Sequence, residues 1–407
     1  MSLIRLLSLR SNFILAALAL GTSPLLASGE STEDPLTDFA ELEAFLDETD
    51  LFLEDANDPL LGLDEFAESP FFWSASIRAG AGHSSNFLKR GKAVSSPYLK
   101  AEADFFLNGI FTHSSFTTLL YFETAKFDQD AEVDREAIAF LHANWTEIRA
   151  RHSYGIEVDA FYGDQIYDAS LLEDSIDPTG ASLEQFRPEL SLFGEWDAGK
   201  FNSIKVTLSA RRSLIVDEDE DYWRPGISLE WNRVWSGSFG SRTELSLYQE
   251  FYDDEVAKTS TGINRLPEED LQINGVQIEE VLTWKPVQWE VLSTSMRFGA
   301  AREEDSNDDY DGLTRFWASA NASLDLKATK FRVSGAWQKT RYTDRQVSSI
   351  DDRLVRQRYR TLRFDLERDL MWNLSFKASV QWNEFVSRVS DDSFSERRIQ
   401  ALLDWTY

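Results

Sequence analysis

The sequence predicts an all-β fold: a transmembrane antiparallel up-and-down β-barrel of about 16 strands. From residue 71 onward, apolar and polar residues alternate with a period of two over segments of about ten residues or more. No apolar stretch of about 18 residues occurs after residue 30, which excludes transmembrane helices. The chain also begins like an exported protein, and without helices such a chain enters lipid only as a closed barrel with every strand paired.

Residues 1–29 are predicted to be a signal peptide. Arg5 and Arg10 precede the apolar run 13–20, and small residues follow up to Gly29, where cleavage is expected. The run is too short to span a bilayer. The chain has no Cys, which removes disulfides and thiol metal sites, and without a Cys at the cut no lipoprotein anchor is predicted.

Residues 30–70 are predicted to be a separate acidic periplasmic leader, partly helical or disordered. Fifteen Asp or Glu and no Lys or Arg occur between residues 30 and 68, a composition typical of a disordered leader. Two similar pieces at 34–41 and 58–68 each begin with Asp-Pro, which suits a helix start. These two pieces favour a different interpretation, in which the leader forms short amphipathic helices that dock on a periplasmic partner or enter the barrel mouth. Both interpretations stay open.

The barrel is predicted over residues 71–407, where we count sixteen alternating segments. They are 71–84, 96–107, 114–125, 136–147, 153–163, 185–196, 201–212, 223–234, 240–251, 273–285, 288–300, 314–326, 330–341, 355–368, 372–385 and 394–407. The faces of 114–125 and 288–300 are ambiguous. The connections alternate between short and long, as expected of tight periplasmic turns and longer external loops.

Aromatic residues mark the ends of the predicted lipid-facing surface, where two interfacial girdles are expected. The girdle candidates are Trp73, Trp372, Trp382, Trp405 and Tyr407. The last segment alternates apolar and polar residues up to the terminal Tyr407. This ending resembles the C-terminal signature of bacterial outer-membrane β-barrels, which their assembly machinery reads.

The opposite faces carry both signs of charge and are predicted to line an aqueous lumen, because sixteen strands enclose more space than side chains fill. The candidates are Lys100, Glu102, Asp104, Glu157, Asp159, Glu189, Glu195, Lys205, Arg211, Glu230, Glu244, Glu250, Asp325, Arg332, Arg363, Asp365, Glu367, Lys377, Arg398 and Asp404. Charged rings of this kind select solutes. Cross-strand ion pairs that stiffen the wall are an equally good explanation.

The long loops are rich in Asp and Glu. An acidic rim concentrates cations, or binds divalent ions that bridge lipopolysaccharide. Solubility of exposed loops explains the same composition.

Three arginines, Arg356, Arg358 and Arg360, share one face of segment 355–368, and Leu362 and Phe364 continue that face toward lipid. If the alternation is unbroken, the arginines point outward near the external rim, where they contact lipid phosphates. A β-bulge would turn them into the pore as a cationic ladder. We predict the outward orientation, because it needs no added assumption.

The end of the first segment offers an enzymatic alternative. His83 and Ser85 share a face, and Asn86 follows them. The spacing resembles the catalytic strand of outer-membrane phospholipase and of lipid A deacylases, which would make Ser85 the nucleophile and His83 the base. Phe87 stands where the phospholipase has Gly. A turn-forming Ser-Ser-Asn cluster is the ordinary explanation.

The predicted barrel resembles Gram-negative porins and, more loosely, a group of uncharacterised β-barrel porins. The resemblance rests on Ser85-Asn86 at the end of the first strand and on the closing hairpin FVSRVSDDSFSERRIQALLDWTY. It implies the outer membrane of a Gram-negative bacterium and diffusion of small solutes, without enzymatic activity and without a cofactor.

The predicted function is a porin-like channel for small solutes with a preference for cations. A lipid hydrolase that uses His83 and Ser85 is one alternative, and a structural barrel that docks a periplasmic partner through residues 30–68 is another. The expected partners are outer-membrane lipids and lipopolysaccharide, the barrel-assembly machinery and small solutes. The sequence shows no nucleic-acid-binding patch and no metal-site motif, so no metal is predicted.

Overall fold

The computed structural model confirms the all-β prediction. It describes residues 70–89, 93–128, 134–168, 180–199, 201–216, 221–258, 265–286, 291–305, 310–346, 353–371, 373–388 and 393–407. The strands are β1 (Phe71–Ser84), β2 (Ser96–Ile110), β3 (Ser114–Phe127), β4 (Arg135–Ile148), β5 (His152–Asp168), β6 (Gly180–Asp197), β7 (Asn202–Ile215), β8 (Tyr222–Ser236), β9 (Phe239–Lys258), β10 (Arg265–Trp284), β11 (Leu292–Asp305), β12 (Leu313–Leu326), β13 (Thr329–Gln346), β14 (Leu354–Met371), β15 (Leu374–Ser387) and β16 (Phe394–Thr406). The predicted signal peptide and the leader up to residue 69 lie outside the described residues.

The sheet is a single closed barrel in which neighbouring strands pair antiparallel in chain order and β1 pairs with β16. At this seam, Ala81 lies opposite Ala401 and Ser84 lies opposite Arg398. Closure leaves no strand edge unpaired, which a sheet in hydrocarbon requires. None of the described residues forms a helix long and apolar enough to cross a membrane.

The two faces of the wall differ sharply in character, because successive side chains of a strand point to opposite sides. On β1, Ile77 is 54% exposed whereas Ser76 is 5% exposed, and Leu99 of β2 is 70% exposed. Exposed large apolar side chains occur on every strand. A surface of this kind far exceeds the apolar patches of soluble proteins, so hydrocarbon covers the outside of the barrel.

Connections of two to four residues join the strands at one end of the barrel, except the seven residues between Trp284 and Leu292, and connections at the other end have six to eleven residues. The predicted alternation is therefore confirmed except at this β10–β11 connection, because β11 begins at Leu292 and not at residue 288. Two of the predicted long loops, 164–184 and 252–272, are wrong in extent. β5 continues to Asp168 and β6 begins at Gly180, while β9 continues to Lys258 and β10 begins at Arg265. Backbone groups pair beyond the apolar band as well as within it, so these hairpins continue after the alternation of side chains has stopped.

Aromatic rings on the inner face lie flat across glycines of the adjacent strand. A Cβ atom added at Gly275 would stand 2.1 Å from the Tyr248 ring, and one at Gly299 would stand 2.2 Å from the Trp317 ring. A larger residue at either position would therefore displace the ring. The glycines let these aromatic side chains lie along the wall instead of projecting into the lumen.

Candidate functional site: the charged lumen

All twenty charged residues predicted to line the lumen lie on the inner face, opposite the exposed apolar side chains. The inner face also carries charged residues absent from the prediction: Arg78, Glu123, Glu136, Arg187, Arg224, Arg242, Glu279, Arg297, Glu303, Asp305, Arg315 and Glu396. Glu123 and Arg297 lie in the two segments whose faces were ambiguous. The others are in phase with the alternation and follow from extending it along each whole strand.

The main lumen cavity has a volume of about 430 Å³ and lies against β4–β13. Three carboxylates form a row in its wall, with Glu230 of β8 directly opposite Glu244 of β9, and Glu244 opposite Glu279 of β10. An arginine pair lies closer to the long-loop end, where Arg211 of β7 is opposite Arg224 of β8. Charges of the same sign are therefore grouped at the same level along the barrel axis, although like charges directly opposite each other repel.

Most charges in these groups have a counterion. Arg211 lies 2.7 Å from Glu189, and Glu279 lies 3.4 Å from Arg297 and accepts a hydrogen bond from Trp317 Nε1 at 3.1 Å. Glu244, at the centre of the carboxylate row, differs. The only hydrogen bond of its side chain among the described residues is one of 2.8 Å from the Ser246 hydroxyl. Glu244 makes no ion pair within the described ranges, although Arg242 on the same strand lies 3.8 Å from Glu230 and 3.9 Å from Glu279.

An ion-pair network crosses the seam on the inner face. Arg78 of β1 contacts Glu102 and Asp104 of β2, each at 2.5 Å, and lies 3.8 Å from Asp404 of β16. Lys377 of β15 contacts Asp404 at 2.8 Å, which extends the network to a third strand pair. These contacts support the wall-stiffening role of the lumen charges at the place where the first and last strands must meet.

A second ion pair joins two strands that are not neighbours in the sheet and crosses the inner face of the three strands between them. Arg398 of β16 binds Glu136 of β4 through two contacts, at 2.8 and 3.1 Å, and also lies 2.5 Å from Glu396. β1, β2 and β3 lie between the strands that carry Arg398 and Glu136. The buried Glu396 accepts a further hydrogen bond from Ser84 Oγ at 2.7 Å. This bridge narrows the lumen near the long-loop end.

The start of the first long loop, residues 85–89, packs inward beside this bridge. Phe87 stacks on Phe127 with ring centroids 4.8 Å apart, and Leu88, Tyr98 and Ala125 belong to the same buried cluster. A smaller cavity of about 120 Å³ lies beside it, against β2–β4 and β14–β16. Sequence patterning does not reveal this inward fold, because the loop lies outside the alternating segments.

One group of side chains has metal-ligand geometry within the described part of the chain. His142, Glu157 and Asp159 bring one ligand atom each to within 4.8 Å of the others. His142 Nδ1 and Asp159 Oδ1 are 2.8 Å apart, and Asn144 Nδ2 donates to Glu157 at 3.2 Å. These contacts already satisfy the polar atoms without an ion, as expected of a hydrogen-bonded patch in the wall.

The geometry does not favour the hydrolase alternative. His83 is on the outer face, and no hydrogen bond joins it to Ser85 in the described structure. Ser85 instead pairs with β16: its Oγ accepts from Arg397 N at 2.8 Å, and its backbone N donates to Arg397 O at 2.9 Å. Asn86 is buried and Val94 N donates to its Oδ1 at 3.3 Å, so Asn86 holds the first loop.

The other predicted surface residues that the structure describes fall on the outer face. Trp73, Trp382, Trp405 and Tyr407 lie there, and Trp372 falls outside the described residues. Arg356, Arg358 and Arg360 also lie outside, because β14 pairs with β13 and β15 without a bulge along this stretch. A closed, even-stranded barrel with an apolar exterior and a charged interior has the architecture of Gram-negative outer-membrane β-barrels, as predicted for fold and localisation.

No family model matches the sequence, and no curated protein shows a significant match. Solved structures do resemble it. OccAB4 of Acinetobacter baumannii is 6% identical with a TM-score of 0.44, covering 84% of this chain and 100% of that one. OprD of Pseudomonas aeruginosa is 10% identical with a TM-score of 0.39, covering 84% and 97%. A loop-deletion mutant of OmpT, an outer membrane protein of Vibrio cholerae, is 8% identical with a TM-score of 0.41, covering 83% and 99%. Similarities at this level carry no functional inference.

Proposed function

We propose that this protein is a porin-like channel that lets small polar solutes diffuse through the outer membrane, with a preference for cations. The supporting observation is the charged inner face, which continues along the full set of sixteen strands. A barrel of this strand number holds water rather than a packed core. Charged side chains on its wall lower the cost of moving a hydrated solute through it.

The preference for cations follows from the carboxylate row. Charges that are paired, such as Arg211 with Glu189, largely cancel each other at the distance of a passing ion. Glu244 makes no direct ion pair among the described residues, so its field is cancelled less than that of its paired neighbours. Glu230 and Glu279 flank it but are paired, both with Arg242, at 3.8 and 3.9 Å, and Glu279 also with Arg297, so the unpaired negative charge of the row is that of Glu244. A cation that enters the main cavity therefore gains attraction that an anion does not.

Conductance in planar bilayers tests both parts of this proposal. Stepwise conductance is expected from the purified full chain, with a reversal potential in a KCl gradient that indicates cation preference. Glu244→Gln should move the reversal potential toward zero while conductance steps persist. Glu304→Gln is the matched control, because Glu304 lies on the outer face and pairs with Arg302 at 2.6 Å.

Two results would count against the proposal. A correctly folded barrel without conductance steps rules out the channel and leaves a structural barrel that docks a partner, whose proposed docking segment, residues 30–68, lies outside the described residues. An anion-preferring reversal potential in the wild type rules out the selectivity mechanism alone.

A further inference from the structure

The outer face of β13 and β14 carries cations in direct register near the long-loop end. Lys339 of β13 lies opposite Arg358 of β14, and Arg341 lies opposite Arg356. We call these four residues the basic patch. Side chains opposite each other on one face of an antiparallel pair are about 4.5–5.5 Å apart at Cβ, and like charges placed so are destabilising. An acidic protein of formal charge −29 thus holds two repelling cation pairs side by side.

Four cations at the same end of other strands have carboxylate partners. These pairs are Lys126–Asp134 at 3.6 Å, Arg135–Asp164 at 3.0 Å, Arg302–Glu304 at 2.6 Å, and Arg212 with Asp221 at 3.4 Å and with Asp253. None of the basic-patch residues makes an ion pair within the described ranges. The next arginine along β14, Arg360, does have one, with Glu384 at 3.4 Å.

The basic patch lies just beyond the apolar band, on the side that faces lipid. Trp337 of β13 is opposite Arg360, and Trp382 of β15 is opposite Leu362. Phe364, two residues further along β14 toward the short-turn end, is exposed. Trp side chains settle at the headgroup level of a bilayer. Lys339 is two residues beyond Trp337, which is about 5 Å further along the membrane normal for a tilted strand.

Burial shows that the basic patch is not part of the pore. Val355, Gln357 and Tyr359, which alternate with its arginines on β14, are all buried on the inner face. The register from Arg341 to Thr329 on β13 continues without a shift. The charges of the basic patch therefore act on whatever surrounds the barrel.

We propose that Lys339, Arg341, Arg356 and Arg358 bind the phosphate groups of lipid headgroups in the outer leaflet, of the kind carried by lipid A. A guanidinium group holds a phosphate through two parallel hydrogen bonds, and a lysine adds a point charge. A phosphate between the two strands replaces the repulsion of each cross-strand pair with attraction to a shared anion. The position directly above an aromatic residue and an apolar band identifies the source as lipid, not a soluble anion.

Thermal unfolding of the full chain in neutral detergent micelles tests this inference. Bisphosphorylated lipid A should raise the unfolding temperature of the wild type, whereas lipid A without its phosphates and phosphatidylethanolamine should not. Arg356→Gln/Arg358→Gln should weaken the apparent affinity about 30-fold, at roughly fivefold for each cation removed. Arg302→Gln, an outer-face variant at the same end, should bind like the wild type.

Folding of the variant is checked in the same experiment. Without lipid, Arg356→Gln/Arg358→Gln should unfold at the same temperature as the wild type or higher, because two like-charge pairs are gone. Conductance should not change, which keeps this inference separate from the proposed channel. Equal stabilisation by dephosphorylated lipid A, unchanged affinity in the variant, or equal stabilisation by inorganic phosphate at the same concentration would each overturn the proposal.

Discussion

The bridge between Arg398 and Glu136 yields a quantitative prediction, because its two strands are not neighbours in the sheet. Arg398→Gln leaves Glu136 and Glu396, which are 8% and 0% exposed, without the cation that contacts both. An uncompensated buried charge costs about 3–5 kcal/mol. Water in the lumen can relax around Glu136, so we expect a loss of about 2–4 kcal/mol in the free energy of unfolding.

Glu136→Gln should cost less, about 1–2 kcal/mol, because Arg398 keeps its contact with Glu396. Urea unfolding of the barrel in lipid vesicles, followed by Trp fluorescence, measures both variants and the double variant. The double-mutant cycle should give a coupling energy of roughly 1–3 kcal/mol, as found for side chains in contact. Single-channel conductance should rise in either variant, because the bridge no longer spans the inside of β1–β3.

Arg363→Gln is the matched control. Arg363 lines the same small cavity, but its Nε donates to Asp365 on its own strand at 2.9 Å. Its loss should leave conductance nearly unchanged. Additivity of Glu136→Gln and Arg398→Gln to within about 0.5 kcal/mol would refute the bridge, since independent sites behave in this way.

Three further predictions concern the seam, the wall and the outer strand end. Arg78→Ala should destabilise the barrel toward urea by about 2–4 kcal/mol, because three carboxylates lose their shared cation; Arg302→Ala, at an exposed surface pair, should cost less than about 1 kcal/mol. Gly275→Val should displace the Tyr248 ring into the lumen, which lowers conductance and costs about 1–3 kcal/mol; an unchanged channel would contradict the ring packing. Ser85→Ala should not alter lipid deacylation, measured as fatty acid release. If the wild type releases fatty acid and the variant does not, the hydrolase interpretation is correct.

Much of this protein follows from its alternation alone. The period of two assigns each side chain to one face of the wall, and the structure places the twenty charged residues on the inner face and Arg356, Arg358 and Arg360 on the outer face. The face on which a side chain lies is a local property of a strand, because successive side chains point to opposite sides whichever strand they pair with. The sixteen strands, the closure and the apolar exterior were therefore predictable.

Which side chains contact each other is not a local property of a strand, and only the tertiary structure decided it. Arg398 meets Glu136 across three intervening strands, Phe87 packs onto Phe127, and Glu244 makes no ion pair among the described residues whereas Glu279 makes one with Arg297. Each of these depends on strand register, and a shift of one residue would move every side chain to the other face. The sequence by itself determined which charges face water and which face lipid. The closed sheet determined which of them are neutralised, because pairing depends on distances between residues far apart in the chain.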